Sequence, residues 1–472
     1  MLPVEKITSS TITNLILYVS IIGILLLIAT ILRLKINFLR KAFVPASLIA
    51  GIIGLVLGPY VLGVFPAEIR SSFAAIPTPF TVVVFACMQL GIKRPKMKES
   101  MQLAAPSVFQ AYSYSFSQIG ITCLLTALIF TPLWGVNPLF GSTIEVGFMG
   151  GHGTAGGMSE LYTQLGWAAG SDVGQTTATI GLIAGIFGGI FLINMAAKKK
   201  YTTVLEEVGS LNLGSDILTG ENKKPAAYIT VSSDVIESFA FHGALIGLSI
   251  YIGKFIIWAF AEAFGYSLPL FPFAMIGGFI VNLILQRTKL GELMDRATFK
   301  RIQGFAMDFL IVAAVASVSI PVVLEYWKPL LVSCVVLSLT TIGIFWFISP
   351  RIYKKHWFEC GIVRFGTATG VAAIGLMLLR TVDPEMKTEG GEVYALSTPF
   401  TSAFIGGGLV TTAYPSLIMA MGSLKCGLLF TTLSAACIIM CALLGFWNRK
   451  PIKEQRGNIE ADFDAAKQKG IL

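Results

Sequence analysis

The chain has 472 residues, 54% of them hydrophobic and only 13% charged, with a mean hydropathy of +0.75. A soluble globular protein carries about 25% charged residues, so this composition excludes a large soluble enzyme or a disordered chain and leaves an integral membrane protein. The 35 Lys and Arg outnumber the 26 Asp and Glu for a net charge of +9, but they cluster in short groups between apolar runs, which marks topology rather than a nucleic-acid surface.

Apolar runs of roughly 20 residues recur along the sequence, the length a helix needs to cross a ~30 Å hydrocarbon core. The alternating segments of a membrane β-barrel are not seen. Spans are predicted near residues 14–34, 43–64, 77–92, 106–132, 171–195, 236–262, 269–286, 305–325, 329–349, 398–420 and 425–447. Two shorter hairpins are predicted near 144–164 and 359–380. The first run lacks a convincing small-residue cleavage site, so no cleavable signal peptide is expected. The seven cysteines lie in or beside apolar runs without a CxxC pair and read as small core residues.

With the N-terminus outside, and with each hairpin leaving on the side it came from, most basic residues fall inside. They form groups at Arg33–Lys41, Lys93–Lys98, Lys198–Lys200, Arg287–Arg301, Arg351–Lys355 and Arg449–Lys469. That bias predicts a multi-pass protein of the inner cell membrane, N-terminus outside and C-terminus cytoplasmic.

The chain resembles itself. Pro45-Ala-Ser-Leu-Ile-Ala-Gly51 matches Pro272-Phe-Ala-Met-Ile-Gly-Gly278, and Gly153-Thr-Ala-Gly-Gly157 matches Gly366-Thr-Ala-Thr-Gly370. Each half then holds five spans and a re-entrant hairpin, and the halves begin on opposite sides, as in many secondary transporters. The expected fold is an all-α polytopic membrane protein with an inverted repeat of two five-helix halves and one extra C-terminal helix. Residues 1–195 form the first repeat, 196–235 a cytoplasmic linker, 236–420 the second repeat, and 421–472 the extra span and cytoplasmic tail. The competing account is a chance match between helices rich in small residues.

The hairpins carry the chemistry. Gly147-Phe-Met-Gly-Gly-His-Gly-Thr-Ala-Gly-Gly-Met-Ser159 is too rich in glycine for a stable helix interior. A break at membrane depth bares backbone groups, at several kcal/mol for each one unsatisfied, unless it lines a wet or liganded cavity. Carbonyls and the hydroxyls of Thr154 and Ser159 suit a small cation, and a half-helix N-terminus suits a carboxylate. The candidates here are Gly150, Gly151, His152, Gly153, Thr154, Gly156 and Ser159; tight packing of a glycine-rich helix pair is the alternative. The second hairpin offers Gly366, Thr367, Thr369 and Gly370, with Thr154 and Thr367 as hydroxyl donors to Na+. Arg364 either binds an acidic substrate through its fork or snorkels to the interface beside Lys354 and Lys355. Thr176 and Ser402, on the spans after the hairpins, are cavity-lining candidates. His242 reads as a satisfied core histidine, and Glu237 and Asp308 as polar helix ends.

Gly150-Gly-His-Gly-Thr154, followed by a Thr/Gly-rich span running to Gly188-Gly189, resembles the signature of bacterial sodium/glutamate symporters. The resemblance covers roughly residues 40–420. It implies sodium-driven glutamate uptake, both hairpins at the site, no cofactor beyond the coupling ion, and a homodimer that moves a transport domain against a scaffold by alternating access. The family's second hairpin is richer in glycine than the stretch here, where Arg364 stands between Cys360-Gly361 and Phe365-Gly366. A dicarboxylate or citrate carrier coupled to sodium is the nearest alternative. A sodium/proton antiporter needs paired deep carboxylates, a channel needs a continuous pore, and an intramembrane enzyme would carry an HExxH, GxSxG or paired-Asp signature. Nucleic acid is not an expected partner.

Overall fold

The computed structural model describes residues 8–41, 44–92, 97–203, 227–232, 234–264, 269–383 and 387–448. Most of the central linker, the basic group at Lys93–Lys96 and the C-terminal tail therefore lie outside the described residues. Every long regular element among the described residues is a helix.

Helix α1 (Ser9–Lys35) opens under the Thr8 cap, whose hydroxyl accepts the Thr11 amide at 3.3 Å, and closes on Arg33 and Lys35. A capping hydroxyl and basic residues in the last turn each complement the helix ends. It buries only Ile22, Leu25 and Ala29, and turns Leu15, Ile16, Ile24 and Leu27 outward. Helix α2 (Ala46–Leu57) follows the fixed φ of Pro45. Helix α3 covers Ala67–Gln89, with Pro77 beginning its second segment. Helix α4 (Met97–Leu125) runs on as far as Trp134. Its polar side is the buried one: Ser107, Gln110, Ser113, Ser115, Gln118 and Thr122 all face inward. Short helices α5 (Thr143–Phe148), α6 (Gly151–Gly157) and α7 (Ser159–Gln164) precede the long α8 (Ala169–Lys198).

A second series of helices follows. Helices α9 (Ser238–Phe264), α10 (Leu270–Leu285), α11 (Arg296–Ala316) and α12 (Trp327–Ile352) lead to α13 (Trp357–Val382). Then come α14 (Gly390–Ser402), α15 (Leu409–Met421) and α16 (Ser423–Cys441).

Lipid tails are as apolar as leucine, so close backbone approach rather than hydrophobic transfer decides which helices pair. Glycines on α2 and α10 set the pairing. A Cβ at Gly51 would stand 2.6 Å from Val315 Cβ, and one at Gly54 2.7 Å from Ala316 Cβ, so α2 seats on α11. A Cβ at Gly278 would stand 2.6 Å from the Ala86 carbonyl oxygen, so α10 seats on α3. Gly51 and Gly278 are the glycines that end the first sequence match, and each touches the third helix of the opposite series. Helices α3 and α11 pack on each other at the centre. Helix α16 lies along α4, where Gly120 and Gly427 admit the close contact and Ser434 donates to the Ser113 carbonyl at 2.8 Å.

Eight of the described helices are long and apolar enough to cross a membrane: seven of the eleven predicted spans, and α13, predicted as a hairpin. Three predicted spans contract to shorter apolar helices, α2, α10 and α15. The span predicted near 305–325 ends at Ala316, and a separate short helix begins at Ile320. The span predicted near 398–420 is broken between α14 and α15, where Gly406 and Gly407 adopt φ of +65° and +101°. Hydropathy does not register these breaks because glycine and serine leave an apolar run apolar.

Two hairpin tips at one glycine

Helix α13 is long enough to span, yet it folds back. Gly366 and Gly375 would lie about 13 Å apart in a straight helix, but a Cβ at Gly366 would stand 2.7 Å from Gly375 Cα. The reversal is at Gly370 (φ −140°, ψ 36°) and Val371 (φ 60°, ψ 178°). The second hairpin therefore has legs 357–369 and 372–382.

The first hairpin is built against α8. On its incoming leg, α5, the Thr143 carbonyl accepts Thr177 Oγ1 at 2.8 Å, and Phe148 lies against Gly181. On the return leg, His152 Nε2 is 2.9 Å from Thr179 Oγ1, and Ser171 Oγ donates to the Ala155 carbonyl at 3.2 Å. The legs thus run in opposite directions along α8, and the chain turns at Met149–Gly151, where Gly151 has φ +72°. Gly174 faces both legs, with its Cβ position 3.1 Å from Ala155 Cβ and 3.8 Å from Val146 Cγ1.

The two tips meet. The Val371 side chain rests on Gly151. Beneath them, a Cβ at Gly181 would be 2.5 Å from the Thr369 carbonyl oxygen and 2.6 Å from Phe148 Cδ1. One glycine of α8 thus seats both hairpins. The break between α14 and α15 reaches the first tip from the other side, with the Gly406 Cβ position 3.3 Å from the Met149 carbonyl oxygen.

This arrangement brings together Gly150, Gly151, His152 and Thr154 at one tip and Thr369 and Gly370 at the other. It leaves Gly156 and Ser159 further down the return leg. Gly366 and Thr367 sit on the incoming leg of the second hairpin. Gly153–Gly157 lies after its turn and Gly366–Gly370 before its own, so the second sequence match pairs opposite legs and is not a structural equivalence. The expected bare carbonyls are largely tied. The Gly153 carbonyl accepts Thr81 Oγ1 at 2.8 Å, the Gly156 carbonyl Thr78 Oγ1 at 2.9 Å, and the His152 carbonyl Gln175 Nε2 at 3.3 Å. The Ala368 carbonyl accepts Gln118 Nε2 at 2.7 Å. Thr154 and Thr367 each donate to the carbonyl four residues back, Gly150 at 2.9 Å and Val363 at 2.7 Å, keeping their oxygens as acceptors. Thr176 does the same to Asp172 at 2.8 Å. Ser402 Oγ, beside the 403–408 break, is buried without a partner.

Arg364 does not snorkel. It is 2% exposed. Its Nε donates to Ser107 Oγ at 2.5 Å, its Nη2 to Ser397 Oγ, and its guanidinium lies 4.8 Å over the Tyr394 ring. It is a buried cation held by hydroxyls and an aromatic face, with no ion pair to a carboxylate among the described residues. His242 is the satisfied core histidine expected, with Nδ1 2.7 Å from the Ser238 carbonyl and Nε2 accepting the Asp295 amide at 2.9 Å.

The sequence reading missed Glu145. Its carboxylate is fully buried on α5, and Oε1 accepts Ser115 Oγ at 2.8 Å, Thr411 Oγ1 at 3.0 Å and the Gly406 amide at 3.2 Å. The signal was present: Glu145 is the lone Asp, Glu, Lys or Arg in residues 100–159. An ionisable residue in such a run is a functional candidate by default. A cavity of about 310 Å3 opens at the base of the second hairpin, lined by Lys354, Lys355, Cys360 and Glu389. Cys360 is ten residues before the turn, about 15 Å along the leg, so this cavity is not at the tips.

Apolar membrane-length helices enclosing two fold-back hairpins define a multi-pass membrane protein with its polar groups gathered inside. A family model described as sodium/glutamate symporter matches residues 10–378, and the chain belongs to that family of membrane transporters. The solved structure of the sodium proton antiporter MjNhaP1 from Methanocaldococcus jannaschii at pH 8 is similar over 92% of this chain and 99% of that one, at 13% identity and a TM-score of 0.37. No curated protein matches the sequence.

Proposed function

We propose that this chain takes up glutamate with sodium by alternating access, and that the meeting point of the hairpin tips is the transport site. The meeting of Gly151 and Val371 over Gly181 is the observation that carries the reading, together with membership of a sodium-coupled family. The return leg of the second hairpin starts its helix at the tip, where its N-terminal amides suit a substrate carboxylate. Thr154 and Thr367 supply hydroxyl oxygens for Na+. Arg364, a buried cation with no carboxylate partner among the described residues, supplies positive charge about six residues below the tip. Each sodium moving inward through 100 mV releases about 2.3 kcal/mol, which offsets the equal cost of carrying a monovalent anion inward, so accumulation draws on the sodium concentration gradient or on a second sodium.

The reciprocal seating of α2 on α11 and of α10 on α3 supports reading the two series as an inverted repeat. We extend the reading to residues 1–195 and 236–420 as its halves, an elevator-type motion of the hairpins, a homodimer, and an inner-membrane protein with its N-terminus outside and C-terminus inside. A sodium-coupled dicarboxylate or citrate carrier is the second reading, and the departure of the second hairpin around Arg364 is what favours it.

Purified protein in liposomes tests both. Labelled glutamate should accumulate under an inward sodium gradient and resist excess citrate or malate. Uptake indifferent to sodium discards the symporter, and displacement by citrate or malate transfers the proposal to the second reading. Arg364→Ala should raise the glutamate KM at least tenfold while kcat changes less; an unchanged KM removes Arg364 from the substrate's field.

A further inference from the structure

We propose that Glu145 is the seat of a coupling cation in addition to the tip hydroxyls of Thr154 and Thr367, a site that rests on the reading of the chain as a cation-coupled carrier. Three donors, the hydroxyls of Ser115 and Thr411 and the amide of Gly406, converge on Oε1. The other oxygen, Oε2, is buried and has no hydrogen-bond partner. A carboxyl wholly out of water is tolerated when paired, liganded or protonated, and no basic side chain among the described residues bonds to it. No Lys or Arg occurs between Lys98 and Lys198, and the donors of Arg364 are directed to Ser107 and Ser397. Two of the groups bonded to Oε1 are hydroxyls, and Ser115 Oγ is also 3.1 Å from Tyr414 OH, both residues being buried. The unpartnered Oε2 on the same carboxylate, with those hydroxyl oxygens nearby on Oε1, offers hard-oxygen donors that suit Na+ and would not suit a soft metal.

The position also explains coupling. Glu145 lies on the incoming leg of the first hairpin, six residues before Gly151. The amide bonded to it belongs to Gly406, whose φ of +65° forms the break between α14 and α15, and that break lies against Met149 at the first tip. A cation that neutralises Glu145 sets how firmly this segment holds the tip, so ion occupancy and tip geometry are one equilibrium.

The test reads sodium on the full-length purified protein without glutamate. Thermal stability is measured across a NaCl series at constant ionic strength against choline, with KCl as a second control. The wild type should be stabilised saturably by Na+, and Glu145→Gln, which keeps the shape and removes the charge, should lose that response or shift its midpoint at least tenfold. Ser115→Ala, a smaller change that tests the same site should Glu145→Gln fail to fold, should shift the midpoint severalfold. An unshifted midpoint in either folded variant overturns the assignment. If the wild type shows neither sodium stabilisation nor sodium-driven uptake, it is the transport reading that falls. If the wild type carries glutamate with sodium and Glu145→Gln keeps the wild-type midpoint, only Glu145 falls. A response of the wild type to a pH gradient in place of Na+, abolished in Glu145→Gln, overturns sodium as the ion in this site.

Discussion

Gly151 and Val371 make opposite demands on the backbone. Gly151 uses a φ of +72° that costs an L-residue about 1–2 kcal/mol, and the Val371 side chain already fills the space its Cβ would take. Gly151→Ala should therefore abolish glutamate uptake in proteoliposomes while the protein still purifies as a folded species; retained uptake would mean the tips separate freely. Val371 carries the strain openly, since a β-branched residue at φ 60°, ψ 178° costs on the order of 1–3 kcal/mol. Strain kept at a ligand site is commonly part of its working. Val371→Gly should keep or raise the melting temperature and lower uptake, because it relaxes the turn and removes the contact with Gly151. Full activity in that variant would make the contact dispensable. The glycines and threonines of the first tip were legible as candidates from composition alone. The role of Glu145 is not legible in the same way, because its partners Ser115, Gly406 and Thr411 come from segments far off in the sequence.

At the scale of elements, α11 shows how a helix is fixed at its first turn. Asp295 caps it, accepting the Thr298 amide at 2.9 Å, Thr298 Oγ1 at 2.7 Å and the amides of Ala297 and Tyr228 at 3.2 Å. Burial raises the Asp295 carboxyl, and these donors together outweigh it and hold the carboxyl below its ordinary range. The folded value lies below the unfolded value of about 3.9, so the stabilisation is present above pH ~4 and fades as pH falls through the lowered value. Asp295→Ala should lower stability by about 1 kcal/mol at neutral pH, and melting curves of the variant and wild type should converge as the medium is acidified. The elements themselves were legible wherever a run was long and uninterrupted, as in α1, α8, α12 and α16. They were not where two helices share one apolar run. The division between α14 and α15 depends on Gly406 and Gly407, and a hydropathy average cannot see a φ angle. The chain reverses at Met149–Gly151 and at Gly370–Val371, both within glycine-rich stretches of the sequence.

For the whole molecule, the buried polar side of α4 replaces what periodicity in a soluble helix would announce. Ser107 holds Arg364, Ser115 holds Glu145 and Gln118 holds the Ala368 carbonyl, so one helix serves both hairpins. That face was illegible because small hydroxyl residues barely dent an apolar average. The proposed orientation has a direct check. A cysteine at Lys6 should react with an impermeant maleimide from outside intact cells, and one at Gln455 only after permeabilisation. The reverse pattern would overturn the charge-based topology and with it the side from which each hairpin enters.

The seat at Gly181 has a consequence for how the chain must be made. The second hairpin beds on a helix encoded in the first half of the gene, and the first hairpin is braced by a loop encoded in the second. Neither half holds a complete surface of its own. Two fragments divided between residues 204 and 226 should be degraded when produced singly, and should recover uptake when produced together in one cell.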